Sequence, residues 1–533
     1  MIARPEMPRW LTVVVAMAAG LLIGLGQAPM GVWPATMVGI AAMTWLLAGR
    51  TPRQAAGYGS VIGLAMNALT ISWVALLGSS IGSPIVGGLV VVALVAFMSV
   101  WFALLGAVLP LLLRLPGWPA WVAAAWVAME FLSGSVPFGG FAWTRLAYTT
   151  VDQPLGGWLP YLGVSGVAFL VALGSQLLLV AASRPRRVAA LGAVGVLFLG
   201  GGALRLVPVD TPEETARVTV VQPNVNREEK GTPNYARAVT NNAFSQTILA
   251  TAAHRARGEE PPDFVVWPEN ATDTDPYRDE ATRRQVELSA AIAATPVLVG
   301  AVTLGDAPQT RATSAIWWDP ELGPTARYDK RNLVPFGEWI PFRDALLPLF
   351  PVLRHAGYQS IPGESPGAIA TPTLRWPDLV TGVVICFELA YDRTVYDTVL
   401  HGAQLVVSQS NTNTYAGSMQ IHQQLTINRV RAMELRREVL ASTLNSTTAL
   451  IGTSGEVHQP TAEFQAASRS FEMPLRENLT LAVRLSRPFA ALATLATAVG
   501  LVAAVVLRRR RDSAASKASN MERSFTSSGG TTP

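Results

Sequence analysis

Hydrophobic residues in this chain fall first into long unbroken blocks and only later into short alternating runs. Apolar blocks cover residues 10–27, 31–48, 54–77, 84–113, 118–134, 161–182 and 186–206, and one more returns at 486–507. Each is near the ~20 residues a helix needs to cross bilayer hydrocarbon, so the pattern predicts eight transmembrane helices. The first block has the form of a cleaved signal segment, but six more blocks follow it, which favours a retained helix. Between the seventh and eighth blocks the pattern changes. "ARVTVVQPNV", "PDFVVWPEN", "TPVLVGAVTL", "LVTGVVICFE", "AQLVVSQSN", "VLASTLN" and "TTALIG" read as short buried strands. "ATRRQVELSAAIAA" and residues 418–438 carry the helical period. Strands alternating with helices predict an α/β domain with helices covering a sheet. The division is therefore a membrane part at 1–207, an α/β insert at 208–484, a last span at 485–508 and a tail at 509–533. That tail is basic, then rich in Ser, Thr and Gly, and is predicted to be disordered.

Charge orients this arrangement. Arg4 and Arg9 precede the first block, Arg50 and Arg53 separate the second from the third, and Arg114 separates the fourth from the fifth. Arg184, Arg186 and Arg187 separate the sixth from the seventh, and Arg508 to Arg511 close the last. The alternate loops "GQAPMG" and "GSSIGS" are uncharged. The positive-inside bias thus predicts both termini in the cytoplasm and residues 208–484 outside. Composition agrees: half of the 533 residues are hydrophobic and 14% are charged, a balance suited to lipid. The net charge of +5 is carried at the edges of apolar blocks, so it argues for a membrane and against nucleic acid. A single cysteine excludes an intramolecular disulfide and any Cys-rich metal site, and the five histidines show no metal spacing, so neither a metal nor a cofactor is expected.

Three polar residues end apolar strands or sit in structured turns: Glu269 after "FVVWP", Lys330 in "YDKRNLVPFGEWIPF", and Cys386 after "TGVVI". Singly, each has an ordinary reading as a solvated carboxylate, a turn lysine or a small core residue. Together they supply a base, an electrostatic stabiliser and a nucleophile for acyl transfer. Other candidates are weaker. "GSSIG" at 78–82 matches a nucleophile-elbow pattern but lies between two membrane blocks rather than between a strand and a helix. "GGG" at 200–202 reads as a site of close helix packing. Glu130, near the outer end of the fifth block, is either a functional group or a structural partner of Arg145.

"WPEN" (267–270), "YDKRNLVPFGEWIP" (328–341) and "GVVICFE" (382–388) together resemble the nitrilase superfamily. "EFLSG", "GGFAW" and 152–170 in the membrane half, with this insert between spans seven and eight, resemble the bacterial apolipoprotein N-acyltransferase family over about residues 10–508. The resemblance implies a nitrilase-like αββα sandwich inserted in a polytopic domain of eight helices, in the bacterial cytoplasmic membrane. It implies Cys386 as nucleophile, Glu269 as base, and Lys330 with the Phe387 backbone N–H as oxyanion donors. Glu338 and Glu388 would orient Lys330 and the incoming amine. It also implies a phospholipid acyl donor, a diacylglyceryl-modified apolipoprotein acceptor, and a monomer. The chain departs from the family pattern at Ser133 (an Arg position), at "GFAW" (for G-F-P-W) and at "SNTNTY" (410–415, for S-N-D-x-W-F). None of these touches Glu269, Lys330 or Cys386. The apolar stretch "LLPLFPVL" (346–353) reads either as a lid over the lipid or as a plain buried helix. A membrane-tethered amidase for small amides, or a non-enzymatic envelope scaffold, remain the competing readings.

Overall fold

A computed structural model of the chain describes residues 7–81, 83–182, 186–225, 235–305, 310–349, 363–364 and 372–528. The apolar blocks become helices α1 (Arg9–Gly24), α2 (Trp33–Leu47), α3 (Pro52–Ile71), α4 (Ala75–Ile81), α5 (Pro84–Leu112), α6 (Trp118–Ser133), α7 (Leu159–Ala181) and α8 (Arg187–Arg205). Local chemistry sets several starts. Thr51 and Gln54 form a capping box ahead of Pro52, and the Ser83 side chain caps α5 ahead of Pro84. Among the described residues, five segments are long and apolar enough to cross a membrane: 52–79, 84–112, 154–181, 187–205 and 481–510. α1, α2 and α6 are shorter, at 16, 15 and 16 residues. Residues 78–81 of the "GSSIG" stretch lie in α4 rather than in a loop, because the apolar Ala75–Leu77 run carries the helix into it. The Gly200–Gly202 stretch does permit close packing: a Cβ on Gly201 would collide with the Pro154 carbonyl oxygen.

The α/β half comprises β1 (Thr215–Gln222), α9 (Tyr235–Arg257), β2 (Phe264–Val266), α10 (Glu280–Ala293), β3 (Val297–Leu304), β4 (Thr310–Asp319), β5 (Gly323–Asp329), α11 (Arg343–Leu349), β6 (Gly363–Glu364), β7 (Thr373–Trp376), β8 (Leu379–Ile385), α12 (Asp392–Leu400), β9 (Leu405–Ser410), α13 (Met419–Leu435), β10 (Val439–Thr443), β11 (Ala449–Ile451), β12 (Val457–His458) and β13 (Ala467–Pro474). The chain then leaves through α14 (Leu481–Ser528). One sheet has the order β13-β1-β2-β3-β4-β5, with β6 on β4, and the other β12-β11-β10-β9-β8-β7. Val218, Phe264, Leu298 and Trp317 of the first meet Val383, Leu405, Val407 and Leu440 of the second in one buried cluster. A further cluster joins the two halves of the molecule, bringing Trp73, Trp143 and Val164 against Phe387, Val395, Ile427 and Met433.

The differences from the sequence reading have local causes. α9 contains "TNNAFSQT", too polar for a core-facing helical stripe to stand out. β13 is an edge strand whose first four residues bury little. α14 continues to Ser528, past the tail expected to be disordered, since no Gly or Pro interrupts residues 489–528 apart from Gly500. The "LLPLFPVL" stretch is helical as far as Leu349, and residues 350–353 lie outside the described residues.

Candidate active site

Three strand ends bring the predicted residues together. Glu269 follows β2 by three positions, Lys330 directly follows β5, and Cys386 directly follows β8, so the first sheet supplies the carboxylate and ammonium and the second the thiol. Cys386 has φ +53°, a left-handed conformation that costs a non-glycine residue on the order of 1 kcal/mol or more. It ends the strand abruptly and starts a tight helical turn over Cys386–Ala390. Lys330 is wholly buried and gives one hydrogen bond to Glu269 Oε1 at 3.0 Å and one to Glu338 Oε1 at 2.5 Å. The other Glu269 oxygen accepts the Asn411 N–H at 2.6 Å, so the residue just past β9 of the second sheet fixes a carboxylate carried by the first. Glu338 Oε2 accepts the Val334 N–H at 2.7 Å, which closes its loop.

Burial disfavours the Lys330 ammonium, yet Glu269 and Glu338 outweigh it and hold its pKa well above the ordinary lysine value. Burial raises the Glu269 pKa; Lys330 opposes this and Glu338 adds to it. Burial also pushes the Cys386 thiol well up, and Glu269 pushes the same way against Lys330. The thiol therefore rests protonated beside a carboxylate of enhanced basicity.

Glu388 is fully buried and acts on the chain around the site. It accepts the Tyr328 hydroxyl at 2.8 Å, the Ile385 N–H at 3.0 Å, and the N–H groups of Arg331 and Asn332 at 2.8 and 3.1 Å. It so ties the residue before Cys386 to the two after Lys330. The Phe387 ring packs against Phe141 and Trp143, with centroids 5.7 and 5.5 Å away, and meets Tyr391 edge-on. "GGFAW" is therefore a wall against the Cys386–Ala390 turn. Phe138 of the same loop meets Trp339 and Phe342, beside Glu338. In "SNTNTY", Thr412 bonds Ser446 at 2.6 Å, and Tyr415 packs edge-on against Trp73 of the membrane half.

The sequence reading missed an ion chain at the far end of the turn. Asp392 accepts Arg145 at 2.7 and 2.9 Å and Arg431 at 2.7 Å. Arg431 also binds Glu434 at 2.6 Å and donates to the carbonyls of Leu389 and Ala390. Glu434 accepts the Val164 N–H at 2.8 Å, an N–H freed because Gly163 (φ +66°) breaks the helix of α7. Arg145 stands 3.7 Å from Glu130, whose Oε1 accepts the Leu146 N–H, so the suspected pair does meet. Asp392 sits six positions after the lone cysteine; its signal was a carboxylate opening a helix behind an apolar turn.

Residues 217–468 match the family described as carbon-nitrogen hydrolase, which with the two sheets defines the class of the α/β half. Residues 19–177 match the apolipoprotein N-acyltransferase N-terminal domain. The apolipoprotein N-acyltransferase of Mycolicibacterium smegmatis is 30% identical over 88% of this chain and 81% of its own length. That of Azotobacter vinelandii is 29% identical over 95% and 97%. The chain belongs to the apolipoprotein N-acyltransferase family. Among solved structures, an amidase from Nesterenkonia is similar at 14% identity and a TM-score of 0.37, over 52% of this chain and 95% of that one.

Proposed function

We propose that this chain moves an acyl group from a membrane phospholipid, through a thioester on Cys386, to the α-amino group of the S-diacylglyceryl cysteine of apolipoproteins. The observation that carries the reading is the buried Lys330, held between Glu269 and Glu338 beside the one cysteine. Glu269 takes the thiol proton as sulfur attacks the ester carbonyl. The tetrahedral oxyanion lies against Lys330 and the Phe387 N–H. Its collapse breaks the ester C–O bond, and the lysophospholipid alkoxide receives the proton from Glu269. In the second half the neutral amine attacks the thioester, Glu269 accepts the amine proton, and the C–S bond breaks to return the thiol. A thioester suits this route because it still reacts readily with an amine.

Eight spans, an outward-facing αββα domain and cytoplasmic termini complete the proposal, in the bacterial inner membrane. Both substrates are anchored by acyl chains, and each methylene drawn into water costs about 0.8 kcal/mol, so the site must come to the bilayer. The aromatic wall from the membrane half against Phe387 is consistent with that. Mass spectrometry of lipoprotein N-termini tests the function: N-acylation should depend on this chain and vanish with Cys386→Ala. N-termini that stay acylated with the variant as sole copy overturn it. Reporter fusions near residue 230 and at the C-terminus should report opposite sides of the membrane; identical signals refute the topology.

A further inference from the structure

A cavity of about 530 Å³ opens behind the nucleophile turn, at the junction of α6, the start of α12 and the start of α14. Cys386 does not line it. Its polar wall carries Arg145, Arg331, Arg393 and Arg487, and Phe131 and Ala490 supply apolar surface. The arginines differ in how far they are engaged. Arg145 is committed to Asp392, and Arg331 binds Asp397 at 2.8 Å. Arg393 reaches the same Asp397 only at 3.9 Å, with a side chain 65% exposed. Arg487 is exposed and, among the described residues, has no ion pair or hydrogen bond. The nearby acids Glu130, Asp392 and Asp397 thus answer the other arginines and leave Arg487 unmatched.

Depth identifies the ligand. From Arg487 to Arg508 is 21 residues of continuous helix, a rise of about 32 Å, close to the ~30 Å hydrocarbon thickness of a bilayer. With the Arg508–Arg510 end at one interface, Arg487 lies at the other, at headgroup level. Leu492, Leu495 and Val499 of α14 face outward below it, and Leu132 and Val136 are exposed beside the cavity. An anion bound at Arg487 and Arg393 therefore has apolar helix surface directly beneath it. A soluble phosphate ester gains nothing from that surface, whereas a diacyl lipid does.

We infer that this crevice is a binding site for the phosphodiester headgroup of a membrane lipid, held by Arg487 and Arg393 with its chains along α6 and α14. The site is separate from Cys386, although Ala390 and Tyr391 of the nucleophile turn form part of its wall. Guanidinium groups suit it because their forked donors match phosphate oxygens.

The test reads binding rather than turnover, so its failure is distinct from failure of the acyl-transfer reading. The full chain carrying Cys386→Ala, which cannot consume lipid, is purified in dodecyl maltoside, and retained phosphatidylglycerol is counted by native mass spectrometry. One tightly held lipid is expected, with retention falling at least tenfold in the Arg393→Gln/Arg487→Gln variant. The uncharged digalactosyl diacylglycerol should be retained poorly by both. An unchanged thermal midpoint in lipid-free detergent shows that the variant is folded; if it is not, Arg487→Lys supplies the second reading and should retain the lipid in part. Equal retention by parent and folded variant overturns the site. Displacement of the lipid by equimolar inorganic phosphate or glycerophosphoglycerol overturns the lipid assignment.

Discussion

Two buried ion clusters bracket residues 386–392, and each is the other's inverse. At the cysteine end one cation, Lys330, is shared by two carboxylates, Glu269 and Glu338. At the aspartate end one carboxylate, Asp392, is shared by two guanidinium groups, Arg145 and Arg431. The consequences are opposite. Burial and the second carboxylate raise the Glu269 pKa despite Lys330, leaving it able to accept a proton. Burial works against the Asp392 carboxylate too, but two arginines overcome it and bring its pKa down to about 2, so it stays ionised. One shared cation leaves a carboxylate able to take a proton; one shared anion makes a brace. The brace also grips Leu389 and Ala390 through Arg431, so it fixes the far end of the turn whose near end carries the thiol.

The largest effect that sharpens the contrast belongs to Glu269. Glu269→Gln keeps the shape but cannot take the thiol proton, so thioester formation should slow by about 10²–10⁴ in a time course of intact protein mass. Lys330→Met should cost about 10²–10³ in rate, and in both halves of the reaction. An enzyme pre-loaded by a chemical thioester donor should then release its acyl group to acceptor slowly; release at the wild-type rate confines Lys330 to the first half. At the brace the loss should be in stability. Asp392→Asn removes the carboxylate that two buried guanidinium groups share; Arg431 keeps Glu434 and Arg145 keeps only the longer ionic contact with Glu130, so the loss should be up to about 3–5 kcal/mol, read as a lowered urea midpoint in detergent. The sign with pH follows from its depressed pKa. Its contribution is complete above the unfolded value of about 3.9 and is lost as pH falls toward about 2. The variant should therefore lack that acid-sensitive component.

A smaller effect probes Glu269 through its neighbour Glu338. A raised Glu269 pKa means that thioester formation should fail at a higher pH than an ordinary carboxylate would set, since the base works only above its pKa. Glu338→Gln removes a negative charge that holds that value up, so the acid limb should move to lower pH. A limb that stays in place shows that Glu338 does not tune the base.

Much of this was legible in the chain because the signals were local. Glu269 and Cys386 each follow a short apolar strand, Lys330 stands in the turn motif "YDKRNLVPFGEWIPF" just past the polar β5, and strand ends bring distant residues to one place. The apolar blocks likewise located the long helices. The brace was not legible. Arg145, Asp392 and Arg431 lie 247 and 39 residues apart, and each alone looks like a solvated charge. Only packing of α12 and α13 against the membrane half removes their water. The same holds for Gln423, which accepts the indole N–H groups of Trp73 and Trp143 at 2.9 and 2.8 Å.

The inverse roles rest on Glu269 being the group that takes the proton from Cys386. The most direct measurement incubates wild type and Glu269→Gln with phospholipid alone and maps acyl mass by peptide. The wild type should gain one acyl chain on the peptide bearing Cys386, and Glu269→Gln should remain unloaded over the same interval. Equal loading of the two proteins, or an acyl group on a serine, would contradict it.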